Sequence, residues 1–226
     1  MTIPKITHNG LSFINLSKPT DEQLKLLNQA FGFSMLNLED YQYKTQIPKI
    51  EFYKDYILFV LDIPSYNQPG PGKNASKKRR IGIGEVDFFI GKDYLVVIHD
   101  DRTPQIDELF EMCKTNEEKR KEFMDKGAAF LFYCLADNLV DTSFSYVTEL
   151  TNTIDSIDRQ LEEKSSVAVI EDVSLTRRNI VVFETMIKPT LPIFADLEKG
   201  KYAELGGEML PYWSNIRTFI ITSISH

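Results

Sequence analysis

Long apolar runs, cysteine, histidine and surplus positive charge are all scarce in this chain, and each scarcity excludes something. No window approaches the roughly 18–20 consecutive apolar residues needed to span a bilayer. The longest candidates are the run from Phe130 to Ala136 and the segment from Phe219 to Ser225. The opening MTIPKITHNG has no apolar signal-peptide core. Two cysteines, Cys113 and Cys134, do not make a disulfide framework, and Cys134 reads as a small core residue inside an apolar run. Three widely separated histidines, His8, His99 and His226, offer no Cys/His zinc cluster. Lys and Arg number 26 against 33 Asp and Glu, a net charge of −7. Non-specific nucleic-acid binding needs the opposite balance, so nucleic acid is not an expected partner. Together these absences predict a soluble, acidic, intracellular protein.

Enzyme signatures are missing too. The loop Asn67-Gln68-Pro69-Gly70-Pro71-Gly72 lacks the Gly-Lys-Ser/Thr ending of a phosphate-binding loop, and Gly82, Gly84 and Gly91 sit around strands. His99-Asp100-Asp101 reads as a polar strand terminus entering a turn rather than as an acid–base centre. The cluster Lys77-Lys78-Arg79-Arg80 reads as a solvated loop tip, with an anion or lipid-headgroup contact as the alternative.

What is present falls into two parts. Through residue 126 the chain mixes short strands and helices. Leu11 to Leu16 alternates, and Pro19-Thr20-Asp21 caps a helix ending near Phe31. Ile50 to Pro64 reads as two strands joined at Lys54-Asp55, the second nearly continuous apolar material as in a central strand. Glu85 to Gly91 and Tyr94 to Asp100 read as a hairpin across Lys92-Asp93. After Lys126 the period lengthens. Val140, Val147, Ile154 and Leu161 recur every seven residues, with Leu150 and Ile157 between them. That predicts a long amphipathic helix broken at Lys164-Ser165-Ser166. Val173, Ile180, Ile187 and Phe194 predict a second helix, which Pro189 and Pro192 should kink or end. Two long helices joined by a short loop imply an antiparallel hairpin. A third helix is expected from about Met209, and the chain reads as stopping inside it.

Five blocks of this pattern, in order, resemble the cytoplasmic domain of the CorA family of divalent-cation transporters. Phe31 to Asp40, FGFSMLNLED, resembles the family's FG-x-H-P-L-x-LED segment, with Ser34-Met35 in place of His-Pro. Ile47 to Leu61 resembles its strand pair, Phe130 to Phe144 its LLY-x-LID-x-LVD helix, and Leu175 to Pro189 its LKRNL segment. Leu210 to Ile216, LPYWSNI, is similar to the PYFRDV opening of its stalk helix. The chain begins close to the family's strand at Leu11 to Asn15, so the strands that usually precede it are expected to be absent.

The resemblance implies an α+β fold: an α/β/α head with a mixed sheet over residues 1–126, a long helical hairpin over 127–206, and the start of a stalk helix over 207–226. It implies a non-enzymatic sensing and gating domain on the cytoplasmic side of the inner membrane. The pore helices would lie outside this chain and supply its only contact with the membrane. The cation would be Mg2+, with Co2+ or Zn2+ as further candidates. A Zn2+-transporting relative and a stand-alone helical scaffold are the alternatives. The partner would be the chain itself, a pentamer in the full-length protein and a monomer or weak oligomer for this piece. Regulatory Mg2+ needs hard oxygen ligands, with water filling the remaining positions. By resemblance such sites lie between protomers: Glu39 and Asp40 supply one side, Asp137 another carboxylate, and the residue at 215 is the stalk-helix partner. Asn215 stands where the family has Asp, and an amide adds no negative charge, so weaker affinity and less repulsion on cation loss are expected. Asp137 and Asp141, four apart, share a helix face beside solvent or a cation. Asp155, Asp158, Glu162 and Glu163 form a further acidic face, either simply solvated or attracting cations.

Overall fold

The computed structural model describes residues 3–43, 47–66, 79–163 and 167–225. Six strands form one sheet in the order β1-β2-β6-β5-β4-β3: β1 (Lys5–His8), β2 (Leu11–Ser17), β3 (Lys49–Phe52), β4 (Ile57–Tyr66), β5 (Ile81–Ile90) and β6 (Tyr94–His99). β2 and β6 run parallel and the remaining neighbours antiparallel, so the sheet is mixed as expected. One expectation is corrected. A strand does precede Leu11: β1 pairs antiparallel with β2, joined by a turn in which Asn9 and Gly10 both take positive φ. Four residues alternating with lysine and threonine carry too little apolar pattern to announce a strand; the pairing with β2 makes it one.

Helices cover both faces of the sheet. On one face lie α1 (Asp21–Phe31) and α2 (Met35–Tyr43). Thr20 closes α1 with a capping box: Gln23 N–H donates to Thr20 Oγ1 at 3.3 Å and Thr20 N–H donates to Gln23 Oε1 at 2.9 Å. Gly32, at φ +70°, ends the helix in the left-handed conformation that costs glycine least. Leu24 and Leu27 of α1 and Leu38 and Tyr41 of α2 bury against Leu58, Val60, Phe89, Val96 and Ile98.

The other face carries α3 (Pro104–Thr115), α5 (Ala128–Glu163), α7 (Thr190–Glu198) and α8 (Leu210–Ser225). The short α4 (Glu117–Met124) links α3 to α5. Phe132 of α5 meets Phe59 and Phe88 of the sheet at ring-centroid distances of 4.9 and 5.1 Å, and Trp213 of α8 at 5.5 Å. A sheet covered on both sides explains why β4 reads as a nearly unbroken apolar run.

α5 and α6 (Val167–Ile187) form the expected hairpin. The break at 164–166 and the loop 67–78, including Lys77 and Lys78, lie outside the described residues; Arg79 and Arg80 are exposed. Asn179 ties α6 to the sheet, accepting from Ile81 N–H and donating to the Arg79 carbonyl, both at 3.0 Å. α6 stops before Pro189, so Phe194, expected on the same helix, belongs to α7. Pro192 sits in the first turn of α7, where its missing N–H costs nothing. Cys113 is fully buried, whereas Cys134 is only partly so. No helix among the described residues is long and apolar enough to cross a membrane.

Candidate functional site

α5 enters the head over its first three turns and carries Asp137 to the surface on the side where α8 packs. Tyr133, one turn earlier, lays its ring on Tyr212 at 4.7 Å and on Trp213 at 5.9 Å. Phe130 meets Tyr212 edge-on at 5.6 Å. Trp213 is fully buried and donates from Nε1 to the Leu205 carbonyl at 2.6 Å, which fixes the rotation of α8. That rotation brings Asn215 over Asp137, and Asn215 Nδ2 donates to Asp137 Oδ1 at 3.2 Å. Two residues 78 positions apart in sequence thus meet within one chain.

Burial, with the Asp141 charge one turn away, holds the Asp137 carboxyl above its usual range; hydrogen bonding from Tyr133 and Asn215 pulls the other way. Asp141 is also raised, by burial. The Tyr133 phenol is pushed up to about 12, first by burial and then by the Asp137 charge. Tyr133 is a site residue that the sequence pattern does not single out, although its spacing of four from Asp137 on a helix places the two together.

Glu39 and Asp40 sit elsewhere. Both are exposed on α2, whose Leu38 and Tyr41 pack on the opposite face of the sheet from α5 and α8. One chain therefore brings Asp137 and Asn215 together but keeps Glu39 and Asp40 apart from them. Among the described residues no group of three or more His, Cys, Asp or Glu is arranged to hold a metal ion. Asp155 and Asp158 are exposed on the outer half of α5, and the side chains of Glu162 and Glu163 lie outside the described residues.

The strand-end residues are structural. His99 is buried, with Nε2 3.0 Å from Asn15 Oδ1 and Nδ1 3.0 Å from Thr103 Oγ1 and 2.7 Å from the Asp100 carbonyl. A second acidic group was not anticipated. Asp62, Glu85, Asp87 and Asp100 are all buried on the face beneath α1 and α2, and Asp62 stands directly opposite Glu85. Burial, then the Glu85 charge, pushes the Asp62 carboxyl up to about 7.

Residues 8–224 match the sequence family described as CorA-like Mg2+ transporter protein. The chain is 24% identical over 190 residues to the cobalt/magnesium transport protein CorA of Thermotoga maritima, covering 84% of this chain and 51% of that protein. It thus spans about half the length of that relative. The soluble domain of CorA from Methanocaldococcus jannaschii superposes with a TM-score of 0.81 at 20% identity, over 96% of this chain and 81% of that one. The ZntB cytoplasmic domain from Vibrio parahaemolyticus gives a TM-score of 0.62 at 10% identity, over 95% of this chain and 82% of that one.

Proposed function

The chain belongs to the CorA-like Mg2+ transporter family, and we propose that it acts there as the cation-sensing and gating domain, on the cytoplasmic side of the membrane. The family is one of transporters, which supports a non-enzymatic role. Residues 1–126 sense, 127–206 form the hairpin, and 207–226 begin the stalk that passes the signal to pore helices supplied by the rest of the protein. The observation that carries this reading is the separation of the acidic residues. Glu39-Asp40 and Asp137-Asn215 occupy opposite faces of the sheet, so a cation can join them only by bridging two copies. Such a bridge suits Mg2+, which binds through one or two carboxylates and keeps several waters. In a ring of copies, the pentamer of the full-length protein, loss of the cation leaves acidic faces in apposition and biases the protomers toward a rigid-body shift. The exposed Asp155 and Asp158, with Glu162 and Glu163 beyond them, add a diffuse attraction for cations.

Thermal melting and sedimentation in millimolar Mg2+ and in chelator test this. A ligand at 100 times its Kd stabilises the bound state by about 2.7 kcal/mol, a rise of several degrees in melting temperature for a chain of this size. Mg2+ should raise the melting temperature and the average mass together, and Glu39→Gln/Asp40→Asn should remove both effects. Identical melts and masses in Mg2+ and chelator would sink the sensor reading. Repeating the titration with Co2+ and Zn2+ ranks the ions; the scarcity of His and Cys favours Mg2+.

A further inference from the structure

The Asp137–Asn215 contact has a polarity that bears on how the site works. Asn215 presents its amide nitrogen, not its oxygen, to the carboxylate. The carbonyl oxygen, the only atom of an asparagine side chain suited to a hard cation, is then not the atom turned to the carboxylate. In this arrangement Asn215 turns a donor rather than a ligand toward Asp137, and the donated N–H takes one of the lone-pair positions of Asp137 Oδ1, leaving the rest of the carboxylate to an ion.

We infer that the Asn215–Asp137 hydrogen bond is a latch that holds α8 on α5 without a cation, so that cation binding between copies does not change the joint between hairpin and stalk. The inference rests on the reading that Asp137 belongs to a cation site; it specifies how that site is regulated. A carboxylate at 215 would face Asp137 as a like charge at hydrogen-bond distance, and the joint would then close only when a cation neutralised the pair. An amide reverses this: it donates to the carboxylate, and such charge-assisted bonds are stronger than neutral ones. The packing around the bond serves the same end. Tyr133 packs tilted on Tyr212 and edge-on to Trp213 immediately beside it, and Trp213 anchors α8 through Leu205. Head, hairpin and the beginning of the stalk therefore move as one body, and Glu39 and Asp40 carry the cation response.

Trp213 is the single tryptophan of the chain; it lies two residues before Asn215 and reports on the joint. Wild-type Trp213 emission should be the same in chelator and in millimolar Mg2+. Asn215→Ala should melt about 2–4 °C lower than wild type in chelator, and by the same margin in Mg2+. Asn215→Asp should melt below wild type and emit further to the red in chelator, and Mg2+ should close both gaps to wild type, a rescue beyond the melting rise that wild type itself shows in Mg2+. An emission change in the wild type on adding Mg2+, an unshifted melt for Asn215→Ala in chelator, or an Asn215→Asp variant whose gaps to wild type persist in Mg2+ would each overturn the latch. The chelator comparison of wild type with Asn215→Ala contains no metal and decides the latch alone. The mass of the wild type in Mg2+ decides the sensor reading alone.

Discussion

The apolar residues of the sheet and those of the hairpin's outer half are of the same kinds and end in opposite environments. In the sheet, Leu58, Phe59, Val60 and Leu61 are wholly buried, as are Phe88 and Phe89 opposite them. Along the hairpin the seven-residue stripe starts buried, at Val140 and Val147, then surfaces at Ile154 and Leu161; on α6, Val167 and Ile170 are 75% and 64% exposed, and of the apolar residues only Ile157 and Val169, between the two helices, are still buried there among the described residues. Periodicity states which face of an element is apolar. It does not state what covers that face. The sheet owes its burial to helices from both halves of the chain, whereas the hairpin tip reaches past every element that could cover it among the described residues. Stability should therefore concentrate at the sheet.

The largest expected effect tests that directly. Phe89 stacks on Phe33 at 4.4 Å and packs against Tyr56 at 5.8 Å. Phe89→Ala should cost about 3–5 kcal/mol, the range for emptying a filled aromatic site in a core, seen as a lowered urea midpoint. A loss below about 1 kcal/mol would show that the sheet does not dominate stability.

The next effect lies in the same sheet and depends on pH. Asp62 is 6% exposed, and its Oδ1 accepts no hydrogen bond among the described residues. With its carboxyl near pH 7 in the fold and near 4 in the unfolded chain, the native state holds a proton that the unfolded state has released. This contribution to stability is complete below about pH 4 and is lost as pH rises through about 7. Asp62→Asn keeps the shape and removes the titration. At pH 8 the variant should be more stable than wild type by on the order of 1–3 kcal/mol, and near pH 5 the gain should shrink. Urea midpoints at the two pH values check this; a gain independent of pH would assign the effect to something other than the buried carboxyl.

These acids also show where the sequence stops being informative. In β4 and β5, Asp62, Glu85 and Asp87 alternate with apolar residues, a pattern that ordinarily places them on a solvated face. They are buried because α1 and α2 cover that face, a tertiary fact absent from the local pattern. The helix start at Thr20 and the hairpin across Lys92-Asp93 were legible, since each is decided within a few residues; Pro189 marked a kink or an end without deciding which. β1 was not legible, because its partner rather than its composition makes it a strand. Asp137 and Asn215 were singled out by family resemblance alone. Their meeting, and above all the direction in which the amide points, depends on the rotation of α8 set by Trp213, which no spacing encodes.

The smallest expected effect is at the hairpin tip, and it cuts most sharply between the two regions. Ile170 is already mostly in water, so Ile170→Ser removes little buried area, and serine and isoleucine have similar helix propensities. The melting free energy should stay within about 0.5 kcal/mol of wild type. If the loss instead approached the 2–5 kcal/mol typical of a core aliphatic site, the tip would be covered in solution. A cover supplied by another copy of the chain would make the wild-type melting temperature rise with protein concentration and leave the variant's flat. That pairing of results would erase the contrast between sheet and hairpin, and would make the exposed stripe a contact between copies, separate from the acidic residues of the head.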